Sequence, residues 1–488
     1  MSQPPRLSMS RAEIRAVYAE GEDAVIALVE SLIGRINQLE ERVEVLENRV
    51  SKNSRNSSTP PSGDGFGKRT KSLRQPSDRA SGGQVGHPGQ TLEWCAAPDQ
   101  TKVHPVKTCT GCGMNLTSVG VQDWELRQVH DLPALAVQIR EHQCEVKCCP
   151  DCGVLNRGQF PPEVSETVQY GPHLQGLVVY LMELQLIPSA RVCELLSEVY
   201  GIALSEGTLY NVRSRCFEAL AESESELTQA LTAAPVLHMD ETGMRVKAKL
   251  WWLHVACTDS LTFYFVHTKR GQNALDAMGI LADFVGKGVH DGWTSYAHYD
   301  FLHSLCNAHH LRELIFIVER YQQDWASQMI TLLVTMKRRV DEAKAQGKNA
   351  LTPDQLTAFA HQYADLLKQG MTANPPAPIP ADQPKPRGRP KQSPAKNLLD
   401  RLTSQQEAVL RFLYDFDVPF DNNQAERDLR MMKLKQKISG GFRSEDGARQ
   451  FCRIRSYLSS LRKQGRNVLD ALVSLFMGHP ISPIPVAE

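Results

Sequence analysis

The chain of 488 residues has no apolar run long enough to cross a membrane, no glycine-rich phosphate loop and no net charge, its 55 Lys and Arg being matched by 55 Asp and Glu. Each absence excludes something. Lacking a spanning segment and a charged-then-apolar leader, the chain is expected in the cytoplasm, away from membranes. Without the phosphate loop, nucleotide-driven chemistry has no seat. The missing net charge speaks against a polyanionic partner only until charge is counted locally. From Asn422 to Arg466 twelve Lys or Arg stand against four Asp or Glu, a local net of +8, offset by acidic stretches such as Glu218 to Glu226. Such a block is either a phosphate-holding surface or a solvated helix face. Twelve cysteines in a reducing compartment are expected to bind metal where they pair at short spacing, rather than to form disulfides.

What is present divides into several domains, as the length requires. Residues 22–51 carry a heptad repeat with Val29, Ile36, Val43 and Val50 at a and Leu32, Leu39 and Leu46 at d. β-Branched a positions with leucine at d favour a parallel two-stranded coil, in which Arg35 and Arg42 at g meet Glu40 and Glu47 at e. Dimerisation through residues 25–50 is therefore expected over a helix packed on its own domain. Residues 52–100, rich in Ser, Gly, Pro, Lys and Arg, bury too little to fold alone; they are a basic tether for DNA or a plain linker. Over 101–160, Cys109-x-x-Cys112 and Cys149-x-x-Cys152, 36 residues apart, supply four soft ligands for a structural, tetrahedral Zn²⁺, and Gly111, Gly113 and Gly153 suit the knuckles. Strands are expected at Trp124-Glu125-Leu126 and Val137-Gln138-Ile139, completing a zinc ribbon; Cys148 competes with Cys149 for the second knuckle. Over 165–230 the pattern is helical. Ser189 to Gly201 followed by Leu204 to Tyr210, with Gly201 as turn, Ser205 as cap and Arg213 and Arg215 on a basic second helix, has the shape of a helix-turn-helix that either reads DNA or packs on the core.

Three carboxylates sit in distinctive frames: Asp240 in Val-Leu-His-Met-Asp-Glu-Thr-Gly, Asp291 in Val-His-Asp-Gly-Trp, and Glu426 in Asp-Asn-Asn-Gln-Ala-Glu-Arg. Val236–Asp240, Leu250–Cys257 and Leu261–His267 read as successive strands, Asn273–Val285 as a helix, and Gly288–Asp291 as the next strand in the parallel part of the sheet. Both aspartates then fall at adjacent strand ends. Glu426 falls about one turn into a helix that Asp421, Asn422 or Asn423 caps, with Glu407 and Asp421 as its rivals. Hard divalent ions take oxygen ligands and keep waters, so converging carboxylates with two Mg²⁺ (or Mn²⁺) ions suit phosphodiester chemistry. Arg427, Arg430 and Lys433, beside and one and two turns beyond Glu426, suit phosphates. The 134 residues between Asp291 and Glu426 hold a helical insertion, 319–416. Its Pro-rich linker contains Pro386-Arg387-Gly388-Arg389-Pro390-Lys391, which resembles an AT-hook core: Arg387 and Arg389 either enter a narrow minor groove or belong to a plain basic linker.

Taken in order with Lys52-Asn53-Ser54-Arg55-Asn56-Ser57-Ser58, the paired cysteines, Leu305-Cys306-Asn307-Ala308-His309 and Arg387 to Lys391, these frames resemble the DDE transposases of the insertion sequence 66 family over nearly the whole chain. The resemblance implies a multidomain α/β protein. A ribonuclease-H-like mixed sheet, in two parts (231–318 and 417–475) around the helical insertion, would follow the coiled coil, zinc ribbon and helix-turn-helix, with 476–488 as a tail. It implies a bacterial, nucleoid-associated enzyme acting on terminal inverted repeats and target DNA. Asp240 would bridge two Mg²⁺ ions, Asp291 binding one and Glu426 the other, and small accessory proteins of the same element commonly accompany such enzymes. Cys306 and His309 are expected to support the core by packing or hydrogen bonding. Two other classes use the same residues: an inactive zinc-containing DNA-binding regulator derived from a transposase, and a ribonuclease-H-like nuclease that does not transpose.

Overall fold

The structure, a computed structural model, describes residues 9–57, 92–132, 137–161, 163–376 and 392–485. Most of the basic tether, and Arg387 and Arg389 of the AT-hook-like run, lie outside the described residues. The chain forms two units, one of Ser72–Phe160 and Cys193–Ser205, the other of Met1–Lys71, Pro161–Val192 and Glu206–Glu488.

The larger unit begins with α1 (Arg11–Ala19), opened by a capping box between Ser10 and Glu13, and α2 (Glu22–Val50). No residue of α2 is buried, and its heptad positions Leu32, Ile36, Leu39 and Val43 are 41–54% exposed. The end of α2 is fastened by the described part of the Lys52–Ser58 frame, residues 52–57. Asn56, itself buried, donates through Nδ2 to the Ser51 carbonyl and to Glu319 Oε2, both at 3.0 Å, while Glu47 pairs with Arg320 and Asn48 donates to the Tyr321 hydroxyl at 3.0 Å.

In the smaller unit β1 (Val146–Cys148) and β2 (Leu155–Arg157) form an antiparallel hairpin around Cys149–Cys152. The strands expected at Trp124–Leu126 and Val137–Ile139 are absent from the described residues. Trp124, Leu126, Val137 and Ile139 are exposed and have no ladder partner, and alternation without a partner strand does not make a sheet.

The larger unit resumes with α3 (Pro172–Val179), prolonged by a π-helical turn (Tyr180–Leu184). α4 (Ser189–Tyr200), followed by Gly201 at φ +67°, passes at Cys193 into the smaller unit, and the larger unit continues with α5 (Glu206–Ala219) and α6 (Ala221–Thr232). Next, β3 (Val236–Val246), β4 (Lys249–Cys257) and β5 (Thr262–His267) form an antiparallel meander. After α7 (Gln272–Met278), β6 (Lys287–His290) lies parallel to β3 and β7 (Leu302–Leu305) parallel to β6, giving the order β5-β4-β3-β6-β7. The helix expected over 273–285 ends at Met278 because Gly279 turns left-handed, φ +72°; Ile280, Leu281 and Phe284 then pack beneath the sheet instead.

Five helices precede the third acid: α8 (Asn307–Tyr321), α9 (Asp324–Ala345), α10 (Pro353–Ala373), α11 (Pro394–Ser404) and α12 (Gln406–Tyr414). They share one core around Trp325, Met329, Tyr363, Leu399 and Leu410, to which Leu305 at the end of β7 also belongs, so the insertion grows out of the edge of the sheet. α13 (Asn423–Ser439) and α14 (Glu445–Lys463) then return to the sheet, and α15 (Val468–Phe476) packs along α3.

Strand alternation sorts the side chains. Leu237, Met239, Ala256 and Phe263 face Leu231, Leu275 and Phe284; Met244, Val246, Leu253, Val255 and Tyr264 face Ala425, Leu429 and Met432 of α13 and Phe451 of α14. The exposed edge of β5 is closed by α14, whose Ser456 and Ser460 hydroxyls accept the Tyr264 and Thr262 N–H groups at 2.8 and 2.9 Å. Within β6, Gly288 is held where a Cβ would meet the Phe301 ring and stand 2.8 Å from Met239 Cε. Gly288→Ala is expected to lower stability by about 1–3 kcal/mol through overpacking against the buried Phe301, measured by urea unfolding; an unchanged midpoint would mean that Phe301 relaxes freely.

Candidate active site

Asp240 belongs to β3, and its even-numbered face is the one that meets α13. The parallel register runs Val236–Lys287, Leu237–Gly288, His238–Val289, and Asp240 follows two residues beyond the last pair on β3, as Asp291 does on the side of β6. Asp291 directly follows β6, and Gly292 at φ +85° turns the chain there while the Trp293 N–H donates to Asp291 Oδ1 at 2.9 Å. Glu426 occupies the first turn of α13. Its carboxylate lies 3.6 Å from Arg312 Nη1 and 4.0 Å from His309 Nε2, both of α8.

Asp240 feels the charge of the other two acids. Burial first, and then the charges of Glu241, Asp291 and Glu426, hold Asp240 well above the ordinary carboxylate range, against the Glu241 N–H that donates to it at 2.8 Å. Among the described residues neither Asp240 nor Asp291 has an ion-pair partner. The nearby cation is Lys433, two turns along α13, whose own value is pulled down by burial and raised by Asp240. Acids left short of positive charge, on one face of a sheet and partly open to solvent, are suited to divalent cations with open coordination positions. Of the two rivals, Glu407 is exposed on α12, and Asp421 Oδ1 accepts the Asn423 N–H at 3.1 Å.

What aligns Glu426 is Asn422, expected as a capping side chain. It is the N-cap residue but makes no cap bond. Instead its buried amide donates from Nδ2 to the Met239 carbonyl at 2.7 Å and meets His238 Nδ1 through Oδ1 at 2.9 Å, while its own N–H donates to Cys306 Sγ at 3.1 Å. Cys306 in turn donates its N–H to the His290 carbonyl at 2.9 Å. Burial pushes the Cys306 thiol up to about 12, and burial and Arg312 hold His309 below its usual value. Among the described residues, Cys306, His309 and Glu426 are the one trio of Cys, His, Asp or Glu side chains whose ligand atoms all lie within 4.8 Å of one another.

The sequence also concealed a clamp behind the acids. Glu241, on the opposite face of β3, is buried and raised by that burial and by Asp291. Its Oε1 accepts Arg270 Nε at 2.8 Å, and its Oε2 accepts the Tyr296 hydroxyl at 2.9 Å. The Arg270 guanidinium lies between Trp252 and Trp293, 5.0 and 4.4 Å from the ring centres. It thereby ties the turn after Asp291 to β3 and β4.

The family model described as Transposase IS66 family matches residues 167–450, more than half of the chain and all three acids. The chain belongs to the IS66 transposase family. That membership carries a transposase role, with DNA as partner. Residues 2–93 of this transposase match a second model, a family of unknown function (DUF6444). No curated protein matches it. No helix among its described residues is long and apolar enough to cross a membrane.

The other site residues of the transposase fall in separate places. The two knuckles have the same backbone frame: Cys109 and Cys149 each donate their N–H to the carbonyl five residues on, at 2.9 Å, and each accepts the N–H of the glycine four residues on, at 3.0 Å. The Cys112 and Gly111 amides hold the Cys109 thiol below its usual value, and the Cys152 and Asp151 amides do the same for Cys149. Cys148 is a strand residue outside the second frame. The four thiols are not gathered within ligand distance among the described residues. On α5, Arg215 is exposed, whereas Arg213 is engaged inside the fold, 2.7 Å from Glu183 and donating to the Gly447 carbonyl. Arg427, Arg430 and Lys433 are exposed on α13, and Lys437, which the same spacing would have found, extends their row.

Asp240 and Glu241 retain protons to higher pH folded than unfolded, so stability present below the ordinary carboxylate range is withdrawn as pH rises through their raised folded values. In chelator, Asp240→Asn is expected to be at least as stable as wild type at neutral pH, with the difference vanishing towards about pH 4. Calorimetry at both pH values checks it; a variant clearly weaker at neutral pH would contradict an uncompensated carboxylate.

Proposed function

We propose that this chain is a DDE transposase that cuts DNA at the terminal inverted repeats of an insertion sequence and joins the freed 3′-hydroxyl to target DNA, with Asp240, Asp291 and Glu426 as its catalytic acids. The observation that carries the reading is that Asp240, on the face of β3 that meets α13, feels the charges of both Asp291, which follows the neighbouring strand β6, and Glu426 of α13, while neither aspartate has an ion-pair partner among the described residues. The five-stranded order, with an antiparallel meander flanked by two parallel strands, supports a ribonuclease-H-like core.

In the first reaction water attacks phosphorus at the element's end, and the bond to the 3′ oxygen breaks, leaving a 3′-hydroxyl and a 5′-phosphate. In the second, that hydroxyl attacks a phosphodiester of the target and the target's own 3′ oxygen leaves. Asp240, Asp291 and Glu426 would hold two Mg²⁺ (or Mn²⁺) ions, which would supply activation of the attacking oxygen and neutralisation of the leaving one. The chain's own groups set the frame. Asn422 fixes the depth of Glu426 against β3, the Arg270 clamp holds the turn carrying Asp291, and Arg427, Arg430, Lys433 and Lys437 offer a row of cations to the DNA backbone beside the acids.

The knuckle amides that favour thiolate at Cys109 and Cys149 fit a structural Zn²⁺ held by Cys109, Cys112, Cys149 and Cys152, which would draw the two knuckles together. The bare heptad face of α2 supports self-association as a parallel dimer, and exposed Arg215 supports a DNA contact from the helix-turn-helix region.

Full-length protein incubated with Mg²⁺, linear DNA carrying the element's inverted repeats and a supercoiled target is expected to give joined product. Asp240→Asn, Asp291→Asn and Glu426→Gln should each reduce cleavage by at least about 10²-fold, on the several-kcal/mol scale of metal-ion stabilisation, while binding to the ends persists. Nicking without joining would instead assign a nuclease, and a shifted, uncut band a regulator. For the ribbon, Cys149→Ser should release its zinc and Cys148→Ser should keep it, by zinc analysis after dialysis; equal retention in both would refute the assignment.

A further inference from the structure

The Cys306–His309 pair acquires a third partner only in the folded chain. Cys306 ends the β7–α8 junction, His309 sits in the first turn of α8, and Glu426 comes from the first turn of α13, 117 positions beyond His309 in the sequence. Their ligand atoms all lie within 4.8 Å of one another. The arrangement is held from outside: the Asn422 N–H reaches Cys306 Sγ, Cys306 N–H reaches the His290 carbonyl, and Arg312 flanks the carboxylate at 3.6 Å. His309 Nδ1 is buried with no hydrogen-bond partner, so the ring has a nitrogen unspent by the fold.

We propose that Cys306, His309 and Glu426 form a second, softer metal site that takes Zn²⁺ and shares its carboxylate with the acid cluster. One sulfur, one imidazole nitrogen and one carboxylate oxygen with a fourth position open to water is a donor set for tetrahedral Zn²⁺, whereas Mg²⁺ avoids sulfur and keeps to octahedral oxygen. A carboxylate drawn to the sulfur and imidazole side is withdrawn from Asp240 and Asp291. Zinc therefore opposes Mg²⁺-dependent cleavage without displacing any ligand from the two aspartates; this consequence, though not the site itself, rests on the acids being catalytic.

The test uses the full chain with its ribbon cysteines intact, dialysed against Zn²⁺ and separately against Co²⁺. Wild type is expected to hold one more equivalent of either ion than Cys306→Ser or His309→Gln, and Cys306→Ser to lose part of the thiolate-to-cobalt absorption while the ribbon's share remains. Serine keeps an acceptor for the Asn422 N–H, and His309→Gln leaves the thiol in place, so agreement of the two variants separates ligation from misfolding. Wild-type stoichiometry in both variants overturns the site. In the cleavage assay, the Zn²⁺ concentration that halves Mg²⁺-dependent activity should rise at least about tenfold in Cys306→Ser. If the extra equivalent is present but zinc does not inhibit, the sharing of Glu426 is overturned. If wild type cleaves with no metal at all, the catalytic reading fails, and the equivalents alone still decide the site.

Discussion

The amide of Asn422 is the joint on which the site depends. Parallel pairing between β3 and β6 ends at His238–Val289, so the strand beyond has no ladder on that side just where it carries Asp240. Asn422 supplies a donor to the Met239 carbonyl and an acceptor beside His238, in a position that is almost fully buried. A strand carbonyl and an imidazole nitrogen left unpaired there would cost about 1–3 kcal/mol each. The same residue begins α13, so the bond that completes the strand also sets the height of Glu426. Its N–H on Cys306 carries the link to β7 and α8. Three elements far apart in sequence are thereby referred to one strand.

Charge is organised around the same point. The basic block from Asn422 to Arg466 is not one surface. Arg453 pairs with Glu224 at 2.5 Å and Lys463 with Asp428 at 2.7 Å. Arg455 donates to the Glu183 and Leu184 carbonyls, and Lys435 lies over the Phe442 and Phe451 rings. These cations hold α14 and α13 to their neighbours. Arg427, Arg430, Lys433 and Lys437 are the exposed remainder on α13, and they run away from the acids along a single rigid element. Asp240 and Asp291 have no ion-pair partner among the described residues, while Arg312 flanks Glu426.

Much of this was legible in the residues. Apolar alternation located β4, β5 and β6 to within one position and the start of β3, and the frames foretold Asp291 at a strand end and Glu426 in a first helical turn. Asp240, expected at a strand end, lies inside β3, which runs on to Val246 because it continues to pair with β4. Other features were hidden for definable reasons. The Asp-Asn-Asn run reads as a cap because local bonding is the commonest use of such residues; that Asn422 reaches across to β3 depends on a partner 183 positions away. Between Cys148 and Cys149 the matched two-residue gaps favoured Cys149; that its backbone bonds repeat those of Cys109 depends on the fold and has no mark in the spacing. The strands expected between the knuckles failed because alternation reports a face, not a partner. Glu241 and Arg270 escaped notice because a buried ion pair has no local pattern.

One helix ties the ends of the chain's logic together. The first two turns of α8, with the cysteine that precedes them, hold Cys306, His309 and Arg312 near Glu426; its last turn receives the clasp of α2 through Arg320 and Tyr321, and of Asn56 just beyond α2 through Glu319. Fifteen residues of α-helix span about 22 Å and bend little. A row of valines, isoleucine and leucines is left bare along α2, a contiguous apolar patch of the kind that marks an interaction surface. Since α2 is fastened to the far end of α8, that helix joins the bare heptad face to the surroundings of Glu426, and one rigid element spans the two.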